Sequence, residues 1–379
     1  MIAAKGSPTG TLSESDVAEL FERSLEPLGL VGRRVLVIIP DGTRTAPMPM
    51  LFRRLVETFR PAAHRLDFII ALGTHQPMSE TQIDALLGLD PASRRGRYAD
   101  VAIHNHRWDQ PGQRRQIGTV PAERVAELSG GRLCEPMPVR INKLVFEYDL
   151  LLICGPVFPH EVVGFSGGHK YLFPGISAGE VIHFSHWLGA LITNPRINGR
   201  KDTPVRALID QAAAMVPIEK RLIAFVVHRD GLHGMYIGDC IEAWSAAADL
   251  SAQLHIVYKD RPYQRILAQA PAMYDDIWTA GKCMYKLEPI VADGGELIIF
   301  APHVRELSYT HGHILDEIGY HVRDYFVRQW DRFRSCPWAV LAHSTHVRGI
   351  GRYEAGQEYP RIRVTLATAI PPSRCRAVN

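Results

Sequence analysis

Between Pro159 and Trp187 the chain reads PHEVVGFSGGHKYLFPGISAGEVIHFSHW, and no other stretch of the 379 residues sets so many reactive side chains on such permissive backbone. His160, Ser166, Lys170, His183 and His186 share this window with Gly164, Gly167, Gly168 and a Pro174-Gly175 pair. Glycines there allow positive φ and let backbone N–H groups come close to a ligand, so the segment reads as a binding loop closed by a turn. A helix is expected from Ser177 to Leu191 with Ser177 as its cap, and a helix start presents outward donors that favour anions. His183 and His186 then stand three apart on one helical face, where either ring could reach a metal or a bound group in front of the loop. The spacing is not a Walker A motif, because no Ser or Thr follows Lys170, and it lacks the G-x-G-x-x-G dinucleotide fingerprint.

Two more loops carry side chains of the same kind. Asp41, Gly42, Thr43 and Arg44 directly follow the apolar run RVLVIIP. Arg44 offers a planar, permanently charged fork suited to a carboxylate or phosphate, and Asp41 could orient it or a histidine. His75 lies in a Gly-Thr-His-Gln-Pro turn after LDFIIALG. Imidazole has the unperturbed pKa nearest neutrality, so His75 and His160 on converging loops could act on a substrate from opposite faces. Further on, Lys282 sits on an expected helix with Thr279 one turn before it. His104 and His106, like His311 and His313, lack a third ligand at a recognisable zinc spacing and read as structural. Neither G-x-S-x-G nor H-E-x-x-H is present.

Strand, loop and helix units must position these loops. RVLVIIP, LDFIIALG and DLLLICG read as three buried strands, each ending in one of the polar loops, with helices expected over VAELFERSL (capped by Ser13 or Ser15), MPMLFRRLVETFR and SETQIDALLG (opened by Ser79). In an open α/β sheet ligands sit where strands end in loops, so the three loops should converge. PVRALIDQAAAMV reads as a helix, RLIAFVVHRDG as a strand returning through GMYIGD, and CIEAWSAAADLSAQLH as a long helix. Beyond it the pattern predicts a helix around PYQRILAQA, a strand over ELIIFAP, a helix over YHVRDYFVRQWDRF, and strands over WAVLAHS and RIRVTLAT. The length exceeds what one core usually serves, so the expected architecture is two α/β domains: residues 1–255 binding a cofactor and residues 256–379 closing a substrate cleft.

Composition excludes other classes. The 43 basic and 40 acidic residues nearly cancel, so no nucleic-acid footprint is implied. Cys134, Cys154, Cys240, Cys283, Cys336 and Cys375 form no C-x-x-C pair and read as reduced thiols of a cytoplasmic protein. No apolar run reaches the length of a membrane span, and the first residues lack the charged flank and apolar core of a secretion signal.

The succession D-G-T-R-x-x-P, G-T-H-x-P and H-x(3)-G-F-S-G-G-x-K-x(3)-P-G, followed by a helix ending in His, resembles the nickel-pincer lactate racemase family. The resemblance runs through most of the expected first domain and is fainter in the second, where W-T-A-G-K carries it. It implies a nickel-pincer nucleotide, a nicotinic-acid-derived mononucleotide held covalently by Lys170 through a thioamide, with His186 as the protein's nickel ligand. It also implies contacts to cofactor or substrate from Asp41, Gly42, Thr43 and Arg44, a phosphate cradle at Ser166, Gly167 and Gly168, and His75 and His160 exchanging acid and base roles. Arg44 and Lys282 would anchor the carboxylate of a 2-hydroxy acid, and cofactor-making enzymes would be needed for loading. Thr279 stands where the family has a glutamine, so a larger or more hydroxylated acid, such as an aldonate, is expected ahead of lactate. The competing expectations are lactate itself, a zinc hydrolase or lyase using His160, His183 and His186, and a non-catalytic relative binding a nucleotide or carboxylate.

Overall fold

Strand Arg34–Ile39 turns Val35, Val37 and Ile39 into one apolar layer and Leu36 and Ile38 into another, the period-two alternation of a strand covered on both faces. It lies inside a seven-stranded sheet in the order Ala3–Gly6, Gly231–Gly238, Glu219–His228, Leu150–Pro156, Arg34–Ile39, Arg65–Ile70, Ile103–Asn105. The last five strands pair in parallel, while Gly231–Gly238 is antiparallel to both its neighbours. The computed structural model describes residues 1–229 and 231–379; Asp230, inside the expected strand RLIAFVVHRDG, lies outside them.

Helices Glu14–Leu28 and Met48–Phe59 cover one face with Phe21, Leu51, Phe52, Leu55 and Phe59. Two of the helix starts follow directly from sequence. Ser13 accepts from the Asp16 N–H while Asp16 accepts from the Ser13 N–H, and Ser79 and Gln82 make the same reciprocal pair before Glu80–Leu87. Each such cap contributes roughly 1 kcal/mol. The other face packs against Gly179–Ile192 and Pro204–Ala214, through a core that continues without a break into the C-terminal part of the chain. That part is built on a parallel three-stranded sheet, Tyr263–Gln269, Val291–Ala301 and Arg363–Thr368. The protein is a mixed α/β fold.

Four local expectations fail, and each has a physical cause. PYQRILAQA forms the edge strand Tyr263–Gln269 rather than a helix, because pairing with Val291–Ala301 overrides a composition of long helix-forming side chains. WAVLAHS is the start of helix Trp338–Arg348, whose residues Val340 to Val347 are all buried, so its sequence shows no polar face. YHVRDYFVRQWDRF breaks into Arg323–Arg328 and Trp330–Phe333. The helix after the glycine loop begins at Gly179 with Ala178 at its cap; Ser177 is buried instead and bridges to Ile141.

The buried helix Trp338–Arg348 runs alongside Gly179–Ile192 and joins the two parts of the chain. Phe184 meets Trp338 at 5.4 Å between ring centroids, and Trp187 stacks on Trp330 at 5.6 Å with an interplanar angle of 2°.

Candidate functional site

The strands ending in Asp41, the His75 turn and the glycine loop are neighbours in the middle of the sheet. The chain steps one way from Arg34–Ile39 to Arg65–Ile70 and the other way to Leu150–Pro156, which makes this a topological switch point where ligands bind. The loops are tied to one another: Gly73 N–H donates to the Gly175 carbonyl at 2.8 Å, and the Trp108 indole N–H to the His75 carbonyl at 2.7 Å. His106 behaves as a structural residue. Its Nε2–H donates to the Ser177 carbonyl at 2.8 Å and its Nδ1 accepts from Asn142 at 3.0 Å, pinning the approach to the helix that carries His186.

The glycine loop is held from behind. The buried Arg206 donates to the carbonyls of Phe165 and Gly167, Trp244 to that of Ser166 and Thr203 to that of Val163. Gly164, at φ 88°, would place a Cβ 1.9 Å from the Arg200 carbonyl oxygen, so no side chain fits. Gly164→Ala is expected to lower stability by about 3 kcal/mol through backbone strain and overpacking, read as a drop in Tm. Ser166 is used internally: its hydroxyl donates to the Pro156 carbonyl at 3.2 Å and accepts from Phe158 N–H at 3.0 Å, and its own N–H donates to the Phe158 carbonyl.

Three histidines of the site have defined hydrogen-bond partners. Asp41 takes the hydroxyl and N–H of Thr43 on one oxygen and Nδ1 of His75 on the other, the latter at 2.5 Å. Burial pushes the Asp41 carboxyl up, but the hydrogen bonds from His75 and Thr43 bring it net below the usual range, so it is ionised. An ionised carboxylate only accepts, hence His75 carries a proton on Nδ1. His160 is the reverse case. Burial holds its pKa well below the ordinary value, so the ring is neutral, and its Nδ1 accepts from the Val162 N–H at 3.1 Å, which puts the proton on Nε2. His186, pushed down to about 4 chiefly by burial, donates from Nδ1 to the Ile182 carbonyl at 2.8 Å and leaves Nε2 as a lone pair.

Lys170 lies among them with its pKa lowered to about 7, mainly by burial and next by the Arg44 charge. A substantial fraction of its amine is therefore neutral and nucleophilic near neutral pH. Arg44 stands 5.8 Å from the Phe158 ring centroid, and Gly42 and Thr43 are exposed beside it.

The two helix histidines part company. His183 accepts the Ala339 N–H on Nδ1 at 3.3 Å, capping the start of Trp338–Arg348, whereas His186 lies within electrostatic reach of Lys170. Among the described residues no three His, Cys, Asp or Glu side chains are grouped to hold a metal ion, so His160, His183 and His186 do not form a zinc triad. From the C-terminal part, Lys282 reaches the neighbourhood of Glu161, and its Nζ lies 5.7 Å from the Tyr274 ring centroid. Thr279 is tied down, its hydroxyl donating to an Asp276 carboxylate oxygen at 2.8 Å. In the segment from His303 to His313, Tyr309 is exposed, His303 bonds the Tyr274 carbonyl at 2.8 Å, and His311 lies against Trp278 at 4.5 Å.

Sequence reasoning missed Glu161, His343 and His346. His343 lies between the hydroxyls of Tyr285 (2.5 Å) and Tyr320 (3.3 Å), and His346 is buried within electrostatic reach of His186 and Glu161. The signal was the H-x-x-H spacing in AHSTHVR, the same as in HFSH, hidden by reading that run as a strand.

The buried Lys170 amine and the imidazoles of His160 and His186 thus gather at the switch point of an α/β sheet. Residues 20–198 match the lactate racemase N-terminal domain. Lactate racemase of Thermoanaerobacterium thermosaccharolyticum is 27% identical over 233 residues, covering 59% of this chain and 49% of that protein; the one from Lactiplantibacillus plantarum is 30% identical over 195 residues, covering 49% and 41%. The chain thus spans about half the length of the curated relatives it matches. A crystal structure of a protein from Thermotoga maritima superposes with a TM-score of 0.83 at 33% identity, over 99% of this chain and 92% of that one. The lactate racemase apoprotein from Thermoanaerobacterium thermosaccharolyticum superposes with a TM-score of 0.71 at 20% identity, over 94% and 82%, a likeness of fold. The N-terminal half of the chain is thus similar to the lactate racemase N-terminal domain, and the chain as a whole to the Thermotoga maritima protein.

Proposed function

We propose that the protein is a racemase or epimerase inverting C2 of a 2-hydroxy acid, with residues 1–255 binding a nickel-pincer nucleotide and residues 256–379 closing over the substrate. The residues present suit that cofactor. Lys170 offers a partly neutral amine for a thioamide, and His186 offers an Nε2 lone pair fixed by its Nδ1 hydrogen bond. With no three-residue ligand set among the described residues, a metal beside His186 needs its other donors from the bound group, and sulfur with imidazole suits nickel(II). Because Ser166 is used internally, a phosphate would meet the N–H groups of Gly167 and Gly168. The chemistry such a group supplies when bound is reversible acceptance of the substrate's C2 hydride.

The observation that carries this reading is the opposite hydrogen bonding of the two Nδ1 atoms, donating to Asp41 in His75 and accepting from Val162 in His160. The Nε2 lone pair of His75, backed by ionised Asp41, takes the proton of the 2-hydroxyl as C2 becomes trigonal, and the resulting imidazolium is stabilised by the Asp41 charge. As the inverted centre forms, the His75 imidazolium returns its proton to the 2-oxygen, to which neutral His160 donates a hydrogen bond from Nε2–H. Arg44 and Lys282 hold the substrate carboxylate, and burial of the site keeps water from the trigonal intermediate.

The test is co-expression with the cofactor-making enzymes, followed by intact mass, metal analysis and assays of epimer formation on lactate, malate, phenyllactate and aldonates. One covalent adduct, about one nickel per chain and inversion of at least one acid are expected; a loaded protein inert toward every acid would falsify the reading. His186→Ala should keep the covalent adduct while nickel content drops severalfold, since one strong imidazole donor is lost. Nickel retained at the native level would remove His186 from the ligand set.

A further inference from the structure

Glu161 is a carboxylate for which the acid–base pair has no use. It follows His160 directly, its side chain is 16% exposed, and one oxygen lies 3.9 Å from Nδ1 of His160, beyond hydrogen-bonding distance. That nitrogen is in any case already accepting from Val162. No side-chain hydrogen bond contributes to its ionisation. Around it stand Lys170 and His186 from the N-terminal part, and Lys282, Lys286, Tyr274, Tyr285 and His346 from the C-terminal part. Burial works against its charge, but its own backbone N–H and the facing Lys282 and Lys286 hold the carboxyl down, so the group is anionic. A buried anion without a side-chain donor is costly, and its remaining lone pairs are free for donors that a ligand brings.

Such a group sorts ligands by charge and by donor. The 2-hydroxy acid's own carboxylate goes to Arg44 and Lys282 and is repelled by Glu161, which fixes the orientation of the substrate. A second carboxylate on the tail would be repelled as well. A methyl tail would leave the anion unpaired, whereas a hydroxyl tail would satisfy it through a charge-assisted hydrogen bond. We propose that Glu161 is a specificity-determining residue that accepts hydrogen bonds from hydroxyls at C3 and beyond, so that the site selects neutral, polyhydroxylated 2-hydroxy acids over plain and dicarboxylic ones. This rests on the racemase reading above.

Threonate, malate and 2-hydroxybutanoate form a four-carbon set differing only in tail chemistry, and loaded native protein, Glu161→Gln and Glu161→Ala can be compared on all three. The native protein should favour threonate. Glu161→Ala should lower the threonate to 2-hydroxybutanoate ratio of kcat/KM by roughly 10- to 100-fold, the usual value of a hydrogen bond to a charged group. Glu161→Gln, which keeps shape and an acceptor oxygen but not the charge, should raise malate relative to threonate. Calorimetric titration of unloaded protein with threonate reads the same contact without the cofactor and should weaken in Glu161→Ala by a similar factor. Ratios and affinities unchanged in both variants overturn the inference and leave the racemase reading standing. Loaded native protein inert on all three, but with threonate binding that depends on Glu161, sinks the racemase reading and retains the contact.

Discussion

Protein carrying Lys170→Arg is expected to leave co-expression with the cofactor-making enzymes at its unmodified mass and with no measurable inversion of any 2-hydroxy acid. The native amine can be acylated because burial and the neighbouring Arg44 lower its pKa to about 7. A guanidinium stays protonated at any accessible pH and does not form the thioamide, yet it keeps a long cationic side chain in the same space. The same pKa sets a pH dependence. The reactive form is the unprotonated amine, so loading of purified chain should speed up as pH rises, the neutral fraction going from about a tenth at pH 6 to about nine tenths at pH 8 and levelling off above. Intact-mass time courses at three pH values measure this. An adduct on the arginine variant, or a rate that falls across that range, would show that Lys170 is not the attachment point.

Asp41→Asn should leave loading intact and lower kcat by roughly 10²–10⁴-fold, the span attributed to a positioned general base and to loss of its tautomer. Ionised Asp41 accepts from Nδ1 of His75 at 2.5 Å and so holds a ring proton on that nitrogen. An asparagine amide can donate to Nδ1 instead, which moves the ring proton to Nε2 and removes the base. The fall in kcat/KM must be equal for both epimers within the limits of their fixed equilibrium constant, so a loss confined to one direction would point to assay artefact. KM should change little, because Asp41 is not the carboxylate anchor. Retention of activity within tenfold of the native protein would mean that His75 is oriented by something other than Asp41.

Much of this site is legible without coordinates, because it rests on local chemistry. Ser13 with Asp16 and Ser79 with Gln82 announce helix starts through side chains three residues apart, and the runs ending at Asp41 and before His75 are strands by their unbroken apolar character. The glycines flanking Ser166, with Lys170 beyond them, mark a constrained loop by composition alone.

Only the tertiary structure decided the rest. Trp338–Arg348 is buried on every side, so nothing in its sequence separates a helix from a strand, and His343 and His346 were lost with it. Tyr263–Gln269 takes its conformation from the strand it pairs with rather than from its own residues. His183 and His186 share a spacing and a helix, yet one caps a neighbouring helix while the other lies within electrostatic reach of Lys170, because the Ala339 N–H happens to need an acceptor there. The Nδ1 hydrogen bonds of His75 and His160 likewise depend on partners 34 and two residues away, a carboxylate for one and a backbone N–H for the other. Sequence thus determined which groups are available for chemistry, since that is a matter of residue type and local backbone. The partner that each nitrogen holds was decided by packing, since hydrogen-bond partners are chosen by proximity in space.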